Sequence, residues 1–217
     1  MTNEMTEQKT STPPLTKTTP SHYNAEDVLI WLQKKGEELY GANFKINTED
    51  HYVILKLIAY FLGDQEKCFR YGLMLHKGIL LIGPVGSGKT ALMNLMKLLA
   101  KTERKFFLKS SRDISFEFIK DGYEVIHRYS HSEHKNYCFD DLGIEKNLKY
   151  FGNECNLMAE IILSRYDLFV SKKIQTHITS NLSARELEAA YGNRVRSRLR
   201  EMVNLISFDK ATPDKRN

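Results

Sequence analysis

The chain has 217 residues, 41% of them hydrophobic and 27% charged, with a formal net charge of +5, which fits one soluble domain of ordinary size with appendages. Cys68, Cys138 and Cys155 form no CxxC pair, and the longest apolar stretch, YVILKLIAYFLG (52–63), is short for a bilayer and carries Lys56. A cysteine-based zinc site and a membrane span are thereby excluded, a reduced cytoplasmic protein is expected, and the mild basic bias permits nucleic-acid contact without requiring it.

Residues 1–22, MTNEMTEQKTSTPPLTKTTPSH, hold almost no large apolar side chains and predict a disordered tail. AEDVLIWLQKKGEEL (25–39) repeats Val28, Leu29, Trp31, Leu32 and Leu39 near helical spacing. A second helix is predicted from NTED, capped by Asn47 or Thr48, through Leu62, and a third apolar-periodic piece covers 64–75. Residues 23–76 thus read as a small helical N-terminal region, ahead of a main domain over 77–217.

From Lys77 strands and helices alternate. KGILLIG (77–83), KFFLK (105–109), NYCFDD (136–141), KIQTHITSN (173–181) and NLISF (204–208) predict strands. Helices are predicted over 90–100, 111–121, 153–170, 183–191 (capped by Ser183) and 193–202. That alternation predicts an α/β fold, a parallel sheet covered by helices on both faces.

GPVGSGKT (83–90) satisfies GxxxxGK[ST] in full, between an apolar strand and a helix. Gly83, Gly86 and Gly88 let backbone N–H groups converge on phosphate, and the next helix adds its N-terminus. The expected nucleotide-binding set runs through Gly83, Pro84, Val85, Gly86, Ser87, Gly88, Lys89, Thr90 and Ala91. Lys89 would reach the β- and γ-phosphates, and Thr90 would ligate Mg²⁺. YCFDD (137–141) ends an apolar strand in two carboxylates, at the strand end where ligands bind in such sheets. Asp140 is expected to hold Mg²⁺ and Asp141 to act as base toward water, with Glu145 as the alternative base. Asn181, ending another strand, is expected to position that water.

GILLIGPVGSGKT, FDDLG and THITSNLSARELEAAYGNRVRSRL together resemble the AAA+ ATPases of the DnaC/DnaI helicase-loader and IstB-like group, over Lys77 to Arg216. The resemblance implies a P-loop sheet of five strands in the order 5-1-4-3-2, with acidic and sensor strands beside the P-loop strand and no C-terminal lid domain. It implies that Asn181 is the first sensor, that Arg198 is an arginine finger acting in trans within a homo-oligomer, and that Arg216 is a loose match to a second sensor.

The implied function is an ATPase with Mg²⁺ that assembles on single-stranded DNA or a replicative helicase. A transposition helper is the close alternative, and a small-molecule phosphotransferase the distant one. KTERKFFLKSSR (101–112) interleaves cations with aromatics, as single-strand binding favours. His127, His131 and His134 share a helical spacing, but with no cysteine nearby they do not predict a metal site. In YGNRVRSRLREM (191–202), Val195, Leu199 and Met202 should face the core, with Arg194 and Arg198 beside that stripe on one side and Arg196 and Arg200 on the other.

Overall fold

The computed structural model describes residues 23–130, 135–145, 148–150 and 153–215. The tail expected over 1–22 lies outside them. The described residues fall into two compact units, divided between Ile46 and Asn47. The first unit is built on α1 (Ala25–Tyr40), capped by the Asn24 side chain, which accepts from the Glu26 N–H. The chain then doubles back, because Gly36 offers no Cβ where the Phe44 ring lies; one built there would sit 2.0 Å from the ring. Gln33 fastens the return, donating to Phe44 O at 2.7 Å and accepting from Ile46 N at 2.8 Å.

In the second unit a 3₁₀ turn (Thr48–Asp50) leads straight into α2 (His51–Phe61). Asn47 occupies the cap position without a side-chain bond. Asp64 caps α3 (Gln65–Arg70), accepting from the Lys67 N–H at 2.9 Å. The sheet elements follow: β1 (Gly78–Ile82), α4 (Lys89–Leu99), β2 (Phe107–Ser110), α5 (Ser111–Asp121), α6 (Glu124–Ser130) and β3 (Tyr137–Leu142). Next come the hairpin β4 (Leu148–Tyr150) and β5 (Asn153–Cys155), then α7 (Leu157–Lys172), β6 (Thr176–Ser180), α8 (Ala184–Met202) and β7 (Val203–Ser207).

The five-stranded sheet runs β2-β3-β6-β1-β7, all parallel, which is the expected order read from the other edge. One detail differs from expectation. The sensor strand β6 lies beside β1, but the acidic strand β3 stands one place further out. Gly78 permits the close β1–β6 approach, since a Cβ there would lie 1.8 Å from Thr176 O.

Side chains alternate across the strands. Leu80, Phe139 and Ile178 join the core formed with α5, α7 and α8. On the other face His177 packs against Tyr60, Phe61 and Phe106. Helices therefore cover both faces.

Two elements depart from the sequence reading. α6 forms between the helix predicted over 111–121 and the strand predicted over 136–141, where no element was predicted, and is entered through Gly122 at φ 62°. The β4–β5 hairpin occupies the start of the helix predicted from 153, so α7 begins at Leu157, capped by Asn156. Helices predicted separately over 183–191 and 193–202 form α8, broken at Gly192 (φ 85°, ψ 164°).

Candidate functional site

Between β1 and α4 the glycine-rich loop turns through Gly86 (φ 78°) and Gly88 (φ 87°), a backbone region that side chains disfavour. Gly88 is the N-cap of α4 and offers no side-chain cap, so the first N–H groups of the helix remain for an anion. Lys89 is 5% exposed and folds back on the loop. Its Nζ donates to Gly83 O (2.9 Å) and Pro84 O (2.8 Å).

Thr90, one residue into the helix, faces the end of β3. Its hydroxyl donates to the Asp140 carboxylate, with oxygens at 2.9 and 3.1 Å. Asp140 is 5% exposed. Burial raises its pKa above the usual carboxylate value, hydrogen bonds from Thr179 and Thr90 pull it back, and the neighbouring Asp141 charge adds to the rise. Asp141 follows at φ 55°, a left-handed conformation rare for any residue but glycine.

A residue that pattern reading passed over holds this turn. Thr179, fully buried on β6, donates to Asp140 Oδ1 at 2.6 Å and accepts from the Asp141 N–H at 2.9 Å. Ser180 next to it donates to Leu142 O at 2.6 Å. The β6 segment THITS is buried at every position although only Ile178 is fully apolar. A polar strand in the middle of a sheet was the available signal. The other polar side chains of the strand are engaged too. Thr176 accepts from Arg165 Nε at 2.8 Å, and His177 Nδ1 accepts from the Ile79 N–H at 3.1 Å.

Asn181 is exposed at the tip of β6. The preceding Ser180 is paired with Ile82, and Ser180 O accepts from Gly83 N at 3.3 Å, so the asparagine lies beside the start of the loop. Glu145 has other partners. It accepts from the Tyr191 hydroxyl and, at 3.0 Å, from the Gly143 N–H. Burial and the Glu145 charge both raise the Tyr191 pKa, which keeps the phenol protonated.

The arginine run separates as its helical spacing predicts. Val195, Leu199 and Met202 are buried. Arg196 pairs with Glu188. Arg194 and Arg198, with Asn193 and Ser197, line an open depression of about 380 Å³. The Arg198 guanidinium lies 4.3 Å from the Tyr166 ring centroid and 3.5 Å from Glu201. Arg216 lies outside the described residues, as do His131 and His134.

The basic–aromatic stretch over 101–112 does not form one surface. Phe106 is buried against His177, and Arg104 donates to Leu75 O at 2.9 Å. Phe107 is 52% exposed, with Lys135 over its ring. No helix among the described residues is long and apolar enough to cross a membrane.

The donors suit MgATP. Thr90 and Asp140 present a hydroxyl and a carboxylate at adjacent positions, the hard oxygen ligands that Mg²⁺ takes together with phosphate oxygens. The loop N–H groups and Lys89 suit a polyphosphate.

No protein-family profile and no curated protein matches the sequence. Solved structures do match. The DnaC helicase loader aligns with a TM-score of 0.53 at 19% identity, over 81% of this chain and 99% of its own. DnaI aligns with 0.52 at 19%, over 78% and 87%. The replication initiator DnaA bound to AMPPCP and single-stranded DNA aligns with 0.50 at 18%, over 77% and 48%. The chain shares the fold of DnaC and DnaI.

Proposed function

We propose that this chain binds and hydrolyses MgATP and couples that cycle to assembly on single-stranded DNA or a replicative helicase, as a loader of the DnaC kind. The observation that carries the reading is the clasp of Thr90, Asp140 and Thr179 beside the glycine loop. It sets a metal-binding hydroxyl, a buried carboxylate and a second carboxylate at one strand end. The likeness in fold to DnaC and DnaI supports the replication role over the transposition and phosphotransferase alternatives.

In this reading Lys89 leaves the carbonyls of Gly83 and Pro84 for phosphate oxygens, a change of acceptor within the same loop. Thr90 and Asp140 hold Mg²⁺, which when bound neutralises charge on the phosphates. Asp141 orients the attacking water and accepts its proton, because Glu145 is engaged by Tyr191 and Gly143. Asn181 holds that water from the neighbouring strand tip. Arg198, steadied by Tyr166 and Glu201, serves as a finger for ATP on an adjacent subunit. Such fingers contribute roughly 10³–10⁵ in rate.

Nucleotide titration and phosphate release test the reading. Lys89→Ala should not bind ATP. Asp141→Asn should bind it and release little phosphate, while Glu145→Gln keeps most of its activity. Wild-type protein should bind a single-stranded oligonucleotide with ATP present, more weakly as salt rises. Undiminished binding by Lys89→Ala would overturn the site. A phosphorylated small-molecule product would move the protein to the phosphotransferases.

A further inference from the structure

We infer that Lys215 is a positioning residue of the phosphate loop, held in place by Asp50. The inference rests on the nucleotide-binding reading above and adds a pair of residues that reading does not use. After β7 the chain runs along the loop. Phe208 N donates to Ile82 O at 2.9 Å. A Cβ on Gly83 would lie 2.8 Å from Phe208, and one on Gly86 would lie 2.0 Å from the Asp214 carboxylate. The Lys215 side chain stands 3.8 Å from the corresponding point on Gly88. All three loop glycines therefore abut one segment.

Lys215 then grips two consecutive carbonyls. Its backbone N–H donates to Gly86 O at 3.1 Å, and its Nζ donates to Ser87 O at 3.0 Å. In a planar trans peptide the carbonyl and the following N–H point opposite ways. Drawing Gly86 O and Ser87 O toward Lys215 thus turns the N–H groups of Ser87 and Gly88 away from it. Ser87 N accordingly points at Pro84 O (3.3 Å), the same carbonyl that receives Lys89 Nζ. Lys215 and Lys89 thus hold different carbonyls of the loop, Gly86 O and Ser87 O for the one and Gly83 O and Pro84 O for the other. Asp50, 2% exposed, fixes the Lys215 ammonium through an ion pair, and the Phe208 ring lies 5.3 Å from it.

The test measures nucleotide affinity, turnover and melting together. Lys215→Met should raise the Kd of both ATP and ADP by about tenfold, the size expected when one charge-assisted hydrogen bond is removed. The rate at saturating ATP should stay within about twofold, since no reacting group moves. Lys215→Arg, which keeps the donors, should bind nearly as wild type. Lys215→Met leaves Asp50 buried without its partner, so Asp50→Asn/Lys215→Met should recover melting temperature but not affinity. If that double variant recovers both, the affinity loss was a loss of fold, and the inference is overturned. Wild-type affinity in Lys215→Met overturns it alone, while Lys89→Ala still loses ATP. Failure of the wild-type protein to bind either nucleotide would overturn the site reading and this inference with it.

Discussion

Thr179→Val removes one hydroxyl from a fully buried position and leaves the shape almost unchanged. That hydroxyl serves two residues at once, as donor to Asp140 at 2.6 Å and acceptor for the Asp141 N–H at 2.9 Å. Leaving a partly buried N–H unpaired costs about 1–3 kcal/mol. The valine methyl returns less than about 1 kcal/mol by apolar burial. A net destabilisation of about 1–2 kcal/mol is expected. The larger effect falls on chemistry. Asp141 sits at φ 55°, a conformation that costs about 1–3 kcal/mol and persists only where its surroundings impose it. Without Thr179 the turn relaxes and the Asp141 carboxylate shifts. A displacement of about 1 Å at a reacting group can cost on the order of 10²-fold in rate. Asp140 also keeps only the Thr90 donor and moves further toward its protonated form. Steady-state phosphate release should fall by about 10- to 100-fold and need more Mg²⁺ for half-activation, with metal-free ATP affinity changed by less than about threefold. Thr179→Ser, which keeps the hydroxyl, should stay near wild type. Wild-type turnover and Mg²⁺ dependence in Thr179→Val would refute the reasoning.

His177 is buried, and burial, with help from Arg104 and Arg165, lowers its pKa to about 3 from an ordinary 6.5. The unfolded chain therefore binds the extra proton first, and the stability present above pH 6.5 is lost as pH falls toward 3. Denaturant melts should show a loss of about 2 kcal/mol from this group between pH 6.5 and about 5, absent in a folded His177→Gln variant. Arg165 is fully buried and donates to Thr176 Oγ1, Tyr129 O, Lys135 O and Gln175 O. Arg165→Met strands those acceptors and should lower stability by about 3 kcal/mol or more by denaturant titration. Arg198→Ala should keep ATP affinity and lose hydrolysis, whereas Arg196→Ala, whose guanidinium pairs with Glu188, should not. Mixing Arg198→Ala with Asp141→Asn should restore some phosphate release, and specific activity should rise with protein concentration; a dead mixture with flat activity across dilution would exclude a trans finger.

The glycine loop was legible because its chemistry depends on backbone conformation, and only glycine readily supplies φ 78° and 87° at Gly86 and Gly88. The carboxylates were legible because they end an apolar strand. Thr179 was not, since its role exists only once β6 lies between β1 and β3, and an isolated buried threonine has no periodic signature. Glu145 stood close to Asp141 in the sequence, and only folding brings Tyr191 onto it from 46 residues away. The aromatic–basic stretch over 101–112 misled for a similar reason. Successive side chains of an extended chain point opposite ways, so Phe106, just ahead of β2, enters the core while Phe107 faces outward. The hairpin β4–β5 is too short, at three residues a strand, to show an alternating pattern.

The position of β1 has a consequence in time. Its partners β6 and β7 lie far along the chain: Ile79 bonds His177 across 98 residues, and Gly78 bonds Asn204 across 126. At a synthesis rate of about 5–20 residues per second, the phosphate loop leaves the ribosome roughly 5–20 seconds before β6 can flank its strand. Through that interval GILLI is an apolar edge open to other chains, a period in which a chaperone has something to hold. The long loops that must close also place this domain among slow folders, because closure entropy is lost before the pairing compensates it.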